Sequence, residues 1–197
     1  MESDRLTFLE FQAGLSIKKF RTRRTQIFLN ILGIPQKYGN DITSLYIKKY
    51  PTIYAPVQDA KNVLKHLQGK FRLGVISNGF PDVQYKKLET LELKSFVDCI
   101  VLSEELGAHK PDPEIFLHAV SLLNTVPAAA IHIGDSFEND VIGAKKAGLL
   151  SCWFNPLHKK SPVPGIKPDF EIQSLNEIYT CLISCFSLTE SPMKPPR

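Results

Sequence analysis

The chain lacks any run of about 18 apolar residues, so no membrane-spanning helix is expected. Its first residues, Met1-Glu2-Ser3-Asp4, are acidic and lead into no apolar h-region, so no secretory signal peptide is expected either. Cysteine is sparse. Cys99 and Cys152 sit in apolar strand-like runs, where a free thiol behaves as a small hydrophobe. Cys181 and Cys185 are four apart on a helical pattern, without the two-residue spacing or the neighbouring ligands of a metal or redox pair. Reduced core thiols in a cytoplasmic protein are the expectation. The net charge of +4 is too mild to point to nucleic acid. No internal repeat is present.

What is there fits a folded domain. Apolar content of 43% and charged content of 22% are ordinary for a globular protein, and 197 residues suit one domain with a small appendage. The first third reads helical. Ser16 caps a helix to about Leu32, with Ile17, Phe20, Ile27, Phe28 and Ile31 roughly on one face, ended by Gly33 and Pro35. Lys18, Lys19, Arg21, Arg23 and Arg24 form a basic cluster on this helix. No aromatic stacking set accompanies it, so a solvated face is expected rather than a nucleic-acid patch. A second helix is expected over Asp41 to Lys49, and Pro51 and Pro56 mark a linker.

From Val57 onward, strands and helices alternate. A helix from Val57 to Leu67 precedes a strand from Arg72 to Ser77. A helix over Val83 to Leu91 precedes a strand from Val97 to Leu102. Asp112 caps a helix with Pro113 at its first position. A strand from Ala129 to Gly134 leads into a helix from Phe137 to Ala147, which Gly148 ends. Further strands are expected at Leu149–Phe154 and Phe170–Ile172, and a last helix over Leu175 to Phe186. The alternation predicts an α/β fold, a parallel sheet covered by helices on both faces. The expected division is 1–56 helical, 57–186 α/β core and 187–197 a proline-rich disordered tail.

In open parallel sheets, ligands bind beyond the carboxyl ends of the strands. Val75-Ile76-Ser77-Asn78-Gly79 and Gly134-Asp135-Ser136-Phe137-Glu138-Asn139-Asp140 both reach such ends. Asp135 and Asp140 offer hard carboxylate oxygens suited to Mg²⁺, which takes one or two carboxylates with waters and phosphate oxygens. Taken singly, each residue has a plainer reading. Asp140 alone is a helix N-terminal charge, Ser77 a turn residue and Lys110 a solvated lysine.

The three motifs in this order resemble the haloacid dehalogenase (HAD) superfamily of hydrolases: Ser77 closing a strand, Lys110 in Lys110-Pro111-Asp112-Pro113, and Asp135 with Asp140 after Gly134. Ile76-Ser77-Asn78-Gly79-Phe80, Ser103-Glu104-Glu105-Leu106-Gly107 and Cys152-Trp153-Phe154-Asn155 are most similar to the capped branch that includes 5′-nucleotidases. The resemblance covers about Arg5 to Glu177. It implies a Rossmannoid core with a partial helical cap before it. It also implies Mg²⁺-dependent hydrolysis of a small phosphomonoester, a nucleoside 5′-monophosphate first, through an aspartyl-phosphate. In that scheme Ser77, Asn78, Gly79 and Lys110 bind phosphate, Lys110 neutralises developing charge, and Asp135 and Asp140 hold the metal. Haloacid dehalogenation is the enzymatic alternative, less suited to an acidic metal pair. No partner beyond a small phosphorylated substrate is implied, neither nucleic acid nor membrane, and oligomeric state is left open.

The family's first motif, Asp-x-Asp-x-Thr/Val, is absent, and no Asp-x-Asp occurs anywhere in the chain. With it go the nucleophile, the acid/base aspartate and the strand expected to lie centrally, between the Ser77 and Asp135 strands. Such a strand buries roughly four to six large side chains at about 1.5–3 kcal/mol each. The expectation is therefore an N-terminally truncated hydrolase, inactive alone. A pseudoenzyme binding phosphate or protein, or a chain that receives the strand from another polypeptide, are the alternatives. Whether the two flanking strands pair directly or leave a groove is open at this level.

Overall fold

The computed structural model describes residues 16–53 and 56–186. The expected disordered tail at 187–197 lies outside them, as do residues 1–15 of the expected cap. The chain divides into two compact units, residues 1–54 and 55–197.

In the first unit, α1 (Ile17–Ile31) starts at Ser16, whose side chain accepts the Lys19 N–H at 3.5 Å. It stops before Gly33, which takes φ +66°, a conformation that costs glycine little. Helix α2 (Gly39–Lys49) packs back on it. Thr43 ties the two helices together, its hydroxyl lying 2.7 Å from the Gly39 carbonyl and 2.9 Å from Thr25 Oγ1. The basic cluster is not uniformly solvated. Arg21 is buried, and the Arg24 guanidinium lies 4.6 Å from the Tyr46 ring centroid, within cation–π range.

The second unit runs α3 (Ala60–Leu67), β1 (Gly74–Ser77), α4 (Pro81–Thr90), β2 (Cys99–Leu102), α5 (Ser103–Leu106), α6 (Pro113–Leu122), β3 (Ile131–Gly134), a π-helical turn (Phe137–Ile142), α7 (Gly143–Lys146), β4 (Leu150–Phe154), β5 (Phe170–Ile172) and α8 (Ile178–Phe186). All strand pairs are parallel, as expected of strands joined by helical crossovers. They form two sheets rather than one. β1 pairs with β2, Gly74 opposite Cys99 through Ser77 opposite Leu102. β4 lies between β3 and β5, with Ile131 opposite Leu150 and Cys152 opposite Phe170. Among the described residues β1 and β3 do not pair, and a groove separates them.

Alternation along the strands splits the core into two layers. Ile131 and Ile133 pack with Val63, Leu67, Ile178 and Leu182 of α3 and α8. Ala130 faces the other way, into the cluster of Phe116, Ala119, Val120 and Ala144 from α6 and α7. Asp112 caps α6 as expected, accepting the Glu114 N–H at 2.9 Å. Several expectations shift; β3 begins two residues late, after a 3₁₀ turn at Pro127–Ala129, and α3 begins at Ala60. The β1 and β2 strands begin two residues late because the Asp98 carboxylate, not a ladder carbonyl, takes the Leu73 N–H at 2.8 Å. The helix expected over Phe137–Ala147 opens as a π-turn, in which the Asp140 side chain folds back onto the Ser136 N–H.

Candidate functional site

The carboxyl ends of β1 and β3 meet through a chain of hydrogen bonds. Ser77 ends β1, and its Oγ accepts the Gly79 N–H at 3.2 Å. The next residue, Asn78, clamps the backbone of Lys110. Its Nδ2 donates to the Lys110 carbonyl at 2.9 Å, and its Oδ1 accepts the Lys110 N–H at 2.8 Å. A side-chain amide carries a donor and an acceptor side by side, so it can satisfy the carbonyl and the N–H of one residue together. The clamp fixes the segment between α5 and α6 against the end of β1.

Lys110 then reaches the other sheet. Its Nζ donates to Asp140 Oδ1 at 2.6 Å, with the two side chains only 13% and 5% exposed. His132 Nε2 lies 3.0 Å from the same oxygen, and the Ser136 N–H donates to Oδ2 at 2.9 Å. The carboxylate occupies the space a side chain at position 134 would need. A Cβ on Gly134 would fall 2.3 Å from Asp140 Cγ. The glycine is therefore required by close approach, not by an unusual backbone angle.

The electrostatics follow from this packing. Burial acts to raise the Asp140 pKa, but the His132 hydrogen bond and the Lys110 charge and hydrogen bond outweigh it and hold the carboxyl well below the usual range. Burial pushes the His132 imidazole down and the Lys110 charge adds to it, against the opposing pull of Asp140. The ring is thus neutral at pH 7, donating to Asp140 from Nε2. It also stands edge-on to Phe116, with ring centroids 4.9 Å apart, which fixes its plane.

Asp135 lies one residue beyond β3 with an exposed side chain, and its carbonyl accepts the Trp153 indole N–H at 3.1 Å. Both Asp135 and Asp140 line the groove between β1 and β3, a cavity of about 800 Å³ that also takes in Lys110 and His132. Among the described residues no three His, Cys, Asp or Glu side chains cluster as a metal-binding group. The donor chemistry fits Mg²⁺ all the same. Asp135 presents an exposed carboxylate, and Asp140 Oδ2 carries a single donor and keeps a lone pair. Lys110 offsets one of the two negative charges.

Of the residues singled out in the sequence, Ser77, Asn78, Gly79, Lys110 and Asp140 thus share one connected site, with Asp135 at its rim. Asn78 uses its side chain on Lys110, which leaves its backbone as the part able to face a ligand. His132 and Ser136 were not singled out. A histidine inside the apolar run Ile131-His132-Ile133 was the available signal, since a buried polar group needs a partner.

The chain matches the model of the haloacid dehalogenase-like hydrolase family over residues 15–154. It is 33% identical over 142 residues to the pyrimidine 5′-nucleotidase YjjG of Escherichia coli, covering 72% of this chain and 63% of that protein. It is 33% identical over 135 residues to the human N-acylneuraminate-9-phosphatase, covering 64% of this chain and 54% of that protein. The chain therefore spans between half and two thirds of the length of these relatives. Among solved structures it is similar to the HAD-hydrolase YfnB of Bacillus subtilis, described as bound to magnesium, with TM-score 0.73, 28% identity and 92% and 79% of the two chains covered. It is also similar to a 2-haloacid dehalogenase of Pseudomonas syringae, with TM-score 0.70, 27% identity and 92% and 78% covered. Sequence, fold and family model agree: the chain belongs to the haloacid dehalogenase-like hydrolases.

Proposed function

We propose that the groove mouth is the phosphoryl-binding half of a Mg²⁺-assisted phosphomonoesterase site, with a nucleoside 5′-monophosphate as the leading substrate. The observation that carries this reading is the Lys110–Asp140 pair, buried and held at the strand ends by Asn78 and His132. A lysine fixed in position places a cation where phosphoryl oxygens would lie, at no reorganisation cost when charge develops. The Ser77 hydroxyl and the Asn78 backbone N–H, at the end of β1, would serve the remaining oxygens, and the Gly79 N–H would do so on releasing Ser77 Oγ. Asp135 and Asp140 would hold the metal, which when bound supplies Lewis-acid polarisation of the phosphoryl group. The His132 hydrogen bond and the Ser136 N–H keep the Asp140 carboxylate ionised and aimed.

The covalent step has no agent in these 197 residues, since no Asp-x-Asp occurs. Asp135 and Asp140 cannot attack without leaving the metal, and Asp112 is occupied as a helix cap. The chain by itself therefore binds phosphate and does not turn it over, because ground-state binding without an attacking group gives little rate. The nucleotide preference rests on likeness to relatives named as nucleotidases and phosphatases, a weaker warrant than the site itself. Similarity to a haloacid dehalogenase fold supports dehalogenation as a second reading.

Calorimetric titration separates the two. Nucleoside monophosphate and orthophosphate should bind weakly with Mg²⁺ present and lose binding in Lys110→Met, while 2-chloropropionate should not bind. Haloacid binding that is indifferent to Mg²⁺ would reverse the assignment.

A further inference from the structure

Asn78 has a counterpart in the second sheet. Asn155 follows β4 and is only 2% exposed. Its Nδ2 donates to the Lys159 carbonyl at 2.9 Å, and its Oδ1 accepts the Lys159 N–H at 2.9 Å. These are the same two bonds that Asn78 makes to Lys110. The Asn155 amide also donates to Glu171 Oε1 at 2.7 Å, and its main-chain N–H donates to the Ile172 carbonyl at 2.7 Å, which ties it to β5. Two strands thus end at an asparagine whose side chain grips the backbone of a lysine.

Register sets where the second lysine stands. β4 lies beside β3 with Gly134 opposite Trp153. Continuing that register sets Asn155 opposite Ser136, one strand spacing away. Ser136 is the residue whose N–H donates to Asp140. The Trp153 indole holds the Asp135 carbonyl, and its ring stands edge-on to Phe137 with centroids 4.9 Å apart. Val163 and Ile166, from the loop after Asn155, pack on the cluster of Phe137, Val141 and Trp153. The loop that carries Lys159 is therefore anchored at the carboxyl end of β3, against the turn that carries Asp140.

The clamp acts on main-chain atoms, so any residue with an N–H would satisfy it and no lysine is required. At position 110 the side chain that the clamp leaves over supplies the site's buried cation. At position 159 the side chain left over is exposed. Among the described residues neither it nor Lys160 has an ion-pair partner. A flexible four-carbon stem on a fixed backbone is a point charge with a defined reach. We propose that Lys159 is a second anion-binding group at the rim of the phosphoryl site. It favours phosphomonoesters that carry a further anionic group, a carboxylate or a second phosphate, beyond the phosphate held by Lys110. This deepens the phosphoryl reading and rests on it. A nucleoside 5′-monophosphate meets Lys110 alone, whereas a doubly anionic ligand meets both lysines.

Calorimetric titration of the full chain with Mg²⁺ tests this with four ligands: orthophosphate, uridine 5′-monophosphate, uridine 3′,5′-bisphosphate and 3-phosphoglycerate. The last two separate a second phosphate from a carboxylate. At least one of them should bind about three- to fivefold more tightly than the monophosphate, the range of an exposed ion pair. The advantage should shrink as salt is raised. Lys159→Met should remove it and Lys159→Arg should keep it. Melting should be unchanged in both variants, because the clamp needs only the main chain. Three results would overturn the proposal and leave the phosphoryl reading standing: no advantage for either doubly anionic ligand, an advantage that survives Lys159→Met, or an equal loss of orthophosphate and doubly anionic ligands in Lys159→Met. Failure of all four ligands to bind the unaltered chain would overturn the phosphoryl reading, and the proposal with it.

Discussion

Replacing Asp140 by asparagine keeps the side chain's shape and removes its charge. Asp140 is 5% exposed and its partner Lys110 13%, so the surviving ammonium would be left in the interior without its counter-ion. The new amide also has one oxygen where the carboxylate had two, while Lys110, His132 and Ser136 all present donors to it. One of the three must face an NH₂ group. Breaking a buried pair by removing one partner costs about 3–5 kcal/mol. At about 2–4 °C per kcal/mol for a chain of this size, the melting temperature should fall by about 6–20 °C. Circular dichroism melts of Asp140→Leu, Lys110→Met and the Lys110→Met/Asp140→Leu double variant, run beside Asp140→Asn, complete a cycle. The double variant should recover only part of the loss, because apolar groups remove the unpaired charge but leave the His132 and Ser136 donors without an acceptor. A loss below about 1 kcal/mol in Asp140→Asn, the range of exposed ion pairs, would refute the reasoning.

Gly134→Ala sets a methyl 2.3 Å from Asp140 Cγ and should cost about 1–3 kcal/mol by overpacking while displacing the carboxylate, read as a melt shift with loss of orthophosphate binding. Asn78→Ala removes both bonds to the Lys110 backbone and should cost about 1–3 kcal/mol by denaturant titration, with the midpoint changed and the m-value unchanged. Asp169 gives the pH prediction. Burial acts to raise its pKa, but bonds from Lys145 and Ser151 hold it below the ordinary 3.8. A depressed carboxyl contributes stability that is present above the unfolded value and lost as pH falls through the folded one. Melting of Asp169→Asn should therefore trail the unaltered chain above pH 4 and converge with it below pH 3.8, and a gap that does not vary with pH would contradict this.

Local signals in the sequence were reliable where one residue type has one job. Ser16 and the Asp112–Pro113 pair start helices as their cap chemistry requires. The apolar runs ending at Ser77, Leu102, Gly134 and Phe154 are the strands, and they meet in parallel pairs. Lys110 bonds to Asp140 and is clamped by Asn78, the residue after Ser77. What the sequence did not show lies in contacts between distant segments. The Asp98 bond to Leu73, 25 residues away, trims two strands, and no local pattern encodes it. The π-turn at Phe137–Ile142 comes from Asp140 folding back over Gly134, whereas helical periodicity there reads as an ordinary helix. His132 was hidden because one histidine in an apolar strand looks like a core residue until its partner is known. The groove between β1 and β3 depends on how two non-consecutive strands face each other, which alternation within each strand does not specify.

On the proposed reading these residues build a phosphoryl-binding site without its attacking group. Turnover of a nucleoside 5′-monophosphate by the purified chain with Mg²⁺, beside Asp135→Asn, tests it most directly. Neither protein should turn it over, and the unaltered chain should show weak Mg²⁺-dependent phosphate binding that Asp135→Asn removes. Robust turnover abolished by Asp135→Asn would contradict it, because some other residue of this chain would then be the nucleophile.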